Sequence, residues 1–167
     1  MLSEWLPFGF LGRPHGVKGE IAFAPFNRAE RRVLPTPLDV RLIRGDSVRD
    51  ASVVGCRPVH AGLLLRFAGI DTRDAVAALG GHALSVPRKI LSPLASGEFF
   101  IEDVVGCDAV KADGTLVGRV TGTFWNGAQD VLTIVGDDGA ERLVPAVASC
   151  IHSFDAHARR LVVEFHE

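Results

Sequence analysis

Hydrophobic and polar positions alternate in short runs along most of the 167-residue chain, and Gly, Pro, Asn and Asp interrupt the runs. Period-two alternation between such breakers predicts strands. In the first half it predicts strands over 6–11, 20–25, 38–44, 51–57, 63–67 and 82–86. One helix interrupts them: Asp71 or Thr72 caps it, Asp74 falls in its electropositive first turn, and Gly80-Gly81 stop it. Residues 27–34, with Arg28, Glu30, Arg31 and Arg32, read either as a short helix or as a charged loop. Many short strands with one modest helix indicate a small β-barrel.

The stretch RKILSPLASG at 88–97 reads as a linker. Alternation resumes after it, with strands over 108–111, 116–124, 131–135, 142–144, 151–154 and 161–165. Asp113-Gly114, Asn126-Gly127, Asp137-Asp138-Gly139 and Asp155-Ala156-His157 separate these runs with turn chemistry. The expected architecture is mainly all-β: one small barrel over 1–87, a linker over 88–97 and a second small barrel over 98–167.

Composition agrees with two packed cores, since 47% of the residues are hydrophobic. The start, Met1-Leu2-Ser3-Glu4-Trp5, lacks the basic region and apolar run of a signal peptide. No run reaches the ~18 apolar residues of a membrane-spanning helix, so a cytoplasmic protein away from membranes is expected. Cys56, Cys107 and Cys150 are odd in number and far apart, which suits buried thiols better than disulfides or zinc. Charge divides the chain. Residues 1–87 carry 11 basic and 8 acidic residues, 88–97 add Arg88 and Lys89, and 98–167 hold 5 basic against 12 acidic, a net −7. The first half tolerates a polyanion; the second repels one and attracts a basic protein.

The segment GFLGRPHGVKGE at 9–20 concentrates four glycines and Pro14 before a strand, which builds a shaped loop. It carries Arg13, His15, Gly16 and Lys18. A phosphate loop would need Gly-Lys-Ser/Thr followed by a helix, but here Lys18 is followed by Gly19 and a strand. A catalytic role for His15, for instance in an enzyme acting on RNA, lacks a nucleophile in a recognisable turn. His60, His82, His152, His157 and His166 show no metal-ligand spacing. Docking is the reading left for the loop. In the second half, Phe99 and Phe100 stand side by side, flanked by Glu98, Glu102 and Asp103. If extended, the two rings point opposite ways, one to the core and one to a partner whose basic surface the carboxylates select. Trp125, beside the Asn126-Gly127 turn, is a second candidate anchor.

Taken in order, these motifs resemble the RimM family of ribosome maturation factors. GFLGRPHGVKGEIAF resembles its opening strand–loop–strand, and 63–67 with 71–79 its strand and Ala-rich helix. EFFIEDVVG at 98–106 resembles its aromatic-pair junction; 114–120, 127–132 and 143–145 resemble its later strands. The resemblance implies an N-terminal six-stranded barrel like those of translation factors and a C-terminal PRC-type barrel. It implies no catalytic residue, no cofactor and no metal. The implied role is non-enzymatic: binding the immature small ribosomal subunit near its head and promoting maturation and rRNA processing. Ribosomal protein nineteen of the small subunit is the implied partner, best suited to the acidic C-terminal half. Small-subunit rRNA is a further partner for the basic N-terminal half, and a monomer is expected. Phe99 and Phe100 stand where the family's aromatic pair sits; with Phe-Phe rather than Tyr or Trp, the pair has no hydroxyl or indole to hydrogen-bond.

Overall fold

The computed structural model describes residues 2–27, 30, 32–91, 94–95 and 97–164. The chain divides into two compact units, one over Ser3–Ser92 and the other over Pro93–Glu167 together with Met1–Leu2.

The first unit contains β1 (Trp5–His15), β2 (Glu20–Pro25), β3 (Leu38–Arg44), β4 (Ser47–Val59), β5 (Gly62–Phe67) and β6 (Ala83–Pro87). They close into a barrel in the order β1-β2-β5-β4-β3-β6. Closure gives every strand two partners and leaves no edge. Leu11, Ile21, Phe23, Leu42, Leu65, Phe67 and Leu84 fill its interior, each nearly or fully buried. At Gly9 the strands run so close that an added Cβ would meet the Ala24 carbonyl and approach the Phe23 ring to 2.6 Å.

A short helix, α1 (Arg73–Ala77), follows β5 and packs against β1 and β2 through buried Val76. Thr72 is its N-cap: the hydroxyl accepts the Ala75 N–H at 3.2 Å. Of the two caps the sequence allows, the structure uses the threonine. Between β2 and β3 the described residues form no helix, so the charged-loop alternative holds for them; Arg28 and Arg31 lie outside the described residues. The stretch read as a linker begins with one helical turn, α2 (Arg88–Leu91), anchored in this unit by buried Leu91 and by Arg88 Nε donating to the Ser3 carbonyl at 2.7 Å.

The second unit opens with a 3-10 turn, Ile101–Val104. It continues with β7 (Asp108–Val110), β8 (Leu116–Trp125), β9 (Asp130–Val135), β10 (Glu141–Pro145), β11 (Ile151–Asp155) and β12 (Arg160–Val163). These six form one sheet, ordered β10-β9-β8-β7-β12-β11, with β12 parallel to β7 and the other pairs antiparallel. Val104, Ala109, Val120, Leu132, Ile134, Val144 and Leu161, all fully buried, lie in one cluster at its core. The cysteines are free thiols; Cys107 is buried, Cys56 and Cys150 half-buried. Burial pushes the Cys56 and Cys107 thiols up from their ordinary value, which keeps both protonated at neutral pH.

Candidate functional site

The glycine-rich loop is the tip of the β1–β2 hairpin. His15 pairs with Glu20, and Gly16–Gly19 make the turn between them. Gly19 has φ +77°, and a Cβ there would run into the Ile70 carbonyl, so only glycine lets the tip lie on the connection leading to α1. Arg73, the first residue of α1, donates to the Gly16 carbonyl at 2.8 Å. The tip is therefore held from beneath by backbone packing and one charge-assisted hydrogen bond.

Above that support, Arg13, His15, Gly16 and Lys18 are all exposed, and Arg13 and Lys18 make no ion pair among the described residues. Neighbouring strands bring further cations. Arg57 on β4 forms a two-pronged bond to Glu20, Nε to Oε1 at 2.7 Å and Nη2 to Oε2 at 2.9 Å. That bond holds the Glu20 carboxyl below its ordinary value despite some desolvation, with His15 and Arg66 adding to the effect. Arg66 lies 3.7 Å from Asp71. Arg57, Arg66 and Arg73 were absent from the sequence-based site: Arg57 and Arg73 are 37 and 57 residues from the groups they meet, and Arg66 lies on a strand well outside the loop. Strand register brings in Arg57 and Arg66, and the placement of α1 brings in Arg73. The one carboxylate that faces His15 across the hairpin is already taken by Arg57.

In the second unit the candidate residues separate. Phe99 is half-buried, packs against the core cluster and lies 5.5 Å from the Phe154 ring at a tilt of 54°. Phe100, also half-buried, precedes the 3-10 turn, and its carbonyl accepts the Asp103 N–H at 3.0 Å. Glu98 is exposed and turns its carboxylate to the Ala95 N–H at 2.9 Å. Asp103 requires a correction: it is only 8% exposed and does not belong to an outward acidic patch. The 3-10 turn takes the Glu102-Asp103 pair out of strand geometry, leaving Glu102 half-buried and folding Asp103 over Cys107, whose thiol donates to the Asp103 carbonyl at 3.4 Å.

Trp125 stands at the far end of β8, 47% exposed and opposite Asp130. The turn beside it is fixed by Asn126, whose Oδ1 accepts the N–H groups of Ala128 and Gln129 at 2.9 and 3.0 Å. Burial raises the Asp130 carboxyl above its ordinary value. Phe124, next to Trp125, is 44% exposed and was not among the sequence-based candidates. Among the described residues no cluster of His, Cys, Asp and Glu is arranged to hold a metal ion, and no helix is long and apolar enough to cross a membrane.

Both units match known families. The RimM N-terminal domain model matches residues 6–91, and the RimM PRC barrel domain model matches residues 101–167. The chain belongs to the RimM family. A ribosome maturation factor RimM from Sorangium cellulosum is 41% identical over 158 residues, 93% of this chain and 92% of the relative. One from Myxococcus xanthus is 31% identical over 161 residues, 96% of this chain and 86% of the relative. A crystal structure of a RimM from Pseudomonas aeruginosa aligns over 97% of this chain and 98% of its own at 21% identity and a TM-score of 0.42. Family membership rests on the sequence matches, and each of the two domain models falls within one compact unit.

Proposed function

We propose that this protein is a non-enzymatic factor of ribosome biogenesis that binds the immature small ribosomal subunit at its head and promotes maturation and rRNA processing. The observation that carries the reading is the match along nearly the whole chain to proteins named ribosome maturation factors. Two physical features support it. The hairpin tip offers Arg13 and Lys18 to phosphates, and close backbone packing at Gly19 holds it in place. The C-terminal unit, at net −7 over 98–167, suits a basic ribosomal protein, and ribosomal protein nineteen of the small subunit is the partner proposed for it.

Such a factor acts by differential affinity: it favours a maturing surface and leaves when the finished one no longer fits. Sedimentation of the tagged protein with immature and mature small subunits tests this. Enrichment on the immature particles is expected, and equal or absent co-sedimentation with both removes the proposal. In the Arg13→Glu, Lys18→Glu variant, binding is expected to weaken. The slope of its salt dependence should also flatten by about one for each phosphate no longer neutralised. An unchanged salt slope would take the tip out of the rRNA interface.

A further inference from the structure

The antiparallel part of the second unit, β8–β9–β10, carries apolar residues on both faces. At one end of the outer face Arg119, paired with Asp108 at 3.2 Å, and Glu141 flank Val135. Cross-strand partners share a face, so the register sorts the side chains. Val120 opposes Ile134, and Leu132 opposes Val144; all four are fully buried in the core cluster. On the other face Phe124, Val131 and Pro145 form one row, and Gly122, Thr133 and Leu143 the next. Phe124 and Leu143, 44% and 53% exposed, stand on opposite sides of β9 with Val131 and Thr133 between them. Val131 is only 5% exposed although it lies outside the core cluster. An antiparallel sheet with one packed face normally turns polar residues to water on the other. An exposed apolar patch rimmed by charged residues marks an interaction surface.

Charge decides what that surface receives. Asp137 and Glu141, in the turn and strand bordering the patch, are exposed and make no ion pair among the described residues. Residues 98–167 total −7, so a phosphate backbone and a second copy of this unit are both repelled. We propose that the outer face of β8–β9–β10 docks a basic protein segment whose apolar anchor seats across β9 between Phe124 and Leu143, with Asp137 and Glu141 meeting its cations. This assignment rests on the proposed ribosomal role for its natural setting, and it names a surface that role leaves open.

The test uses the full chain and purified immature small subunits as the probe. Phe124→Ser with Leu143→Ser is expected to weaken binding at least about tenfold, as removal of paired interface anchors does. Asp137→Lys with Glu141→Lys is expected to weaken it several-fold through charge alone, which keeps the test decisive even if the serine variant folds poorly. Wild-type binding with both variants unaffected overturns the surface while leaving the ribosomal role standing; failure of the wild type to bind overturns the role itself. Tighter binding by the lysine variant would assign the face to rRNA and overturn the proposal. So would a wild-type dimer, seen by analytical ultracentrifugation, that the serine variant dissolves.

Discussion

The two units solve the same problem with six strands each and differ in what surrounds an outward-facing phenylalanine. In the first, Phe10 is 50% exposed and sits in a row of directly paired residues, Ala24–Phe10–Ala83–Ile43–Val48, that crosses five strands of the barrel. Phe26 meets it edge-on at 4.9 Å. On the same face as Ile43, Arg41 lies 4.4 Å from the Trp5 ring centroid and 3.5 Å from Asp50. In the second, Phe124 is about as exposed, but carboxylates outside any ion pair among the described residues border its face. Exposed apolar area alone does not select a partner. The charge around it does, and of these two faces the second carries the excess of one sign.

The largest expected effects come from opposing a core phenylalanine to an outward one. Phe23→Ala should cost about 4 kcal/mol of stability, as a cavity in a closed barrel, and Phe124→Ala less than about 1 kcal/mol. Denaturant unfolding measures both, and equal losses would erase the distinction between the two positions. Next, Gly9→Ala should cost about 2 kcal/mol, because the strands leave no room for a methyl group and the backbone must shift. An unaltered unfolding midpoint would mean that the close approach of β1 to Phe23 is not kept in solution. Thr72→Ala should cost about 1 kcal/mol by removing the cap of α1. Hydrogen exchange of the Ala75 amide reports the same loss, and unchanged protection would show that the cap bond is not formed.

The smallest effects are electrostatic and separate the units by pH. Glu20 in the first unit titrates below its ordinary 4.5, so its ionised form favours folding above that pH and the contribution fades as acid protonates it. Arg57→Gln should flatten that acid limb; a limb of the same slope would show that the pair carries no stability. In the second unit the Arg142 guanidinium and the Ala140 N–H bring Asp138 down from 3.8 to about 2. Its contribution is therefore present above pH 3.8 and disappears as pH falls toward about 2. An NMR titration of Arg142→Gln should return Asp138 toward 3.8, and an unmoved midpoint would assign the shift to the turn instead.

Much of this molecule was legible in one dimension. Alternation and turn residues located the strands of both units to within a few positions, because each strand is half buried and its turns require Gly, Asn or Asp. The charge division and the shaped tip at 9–20 were equally local. The 3-10 turn that folds Asp103 inward was not, since Glu98-Phe99-Phe100-Ile101-Glu102-Asp103 has no breaker to announce it.

What only the tertiary structure decided is which side chains face outward after a bulge. Counting by twos along β8 puts Phe124 on the same side as Val120; the extra residue at Thr121, between the pairs Val120–Ile134 and Gly122–Thr133, turns it to the other face. The extra residue at Phe8 does the same for Phe10 relative to Leu6. A strand's own residues set its period, but its phase depends on how the neighbouring strand pairs with it. The sequence thus determined two small β units, one basic and one acidic, and pairing between distant strands determined the surfaces they present.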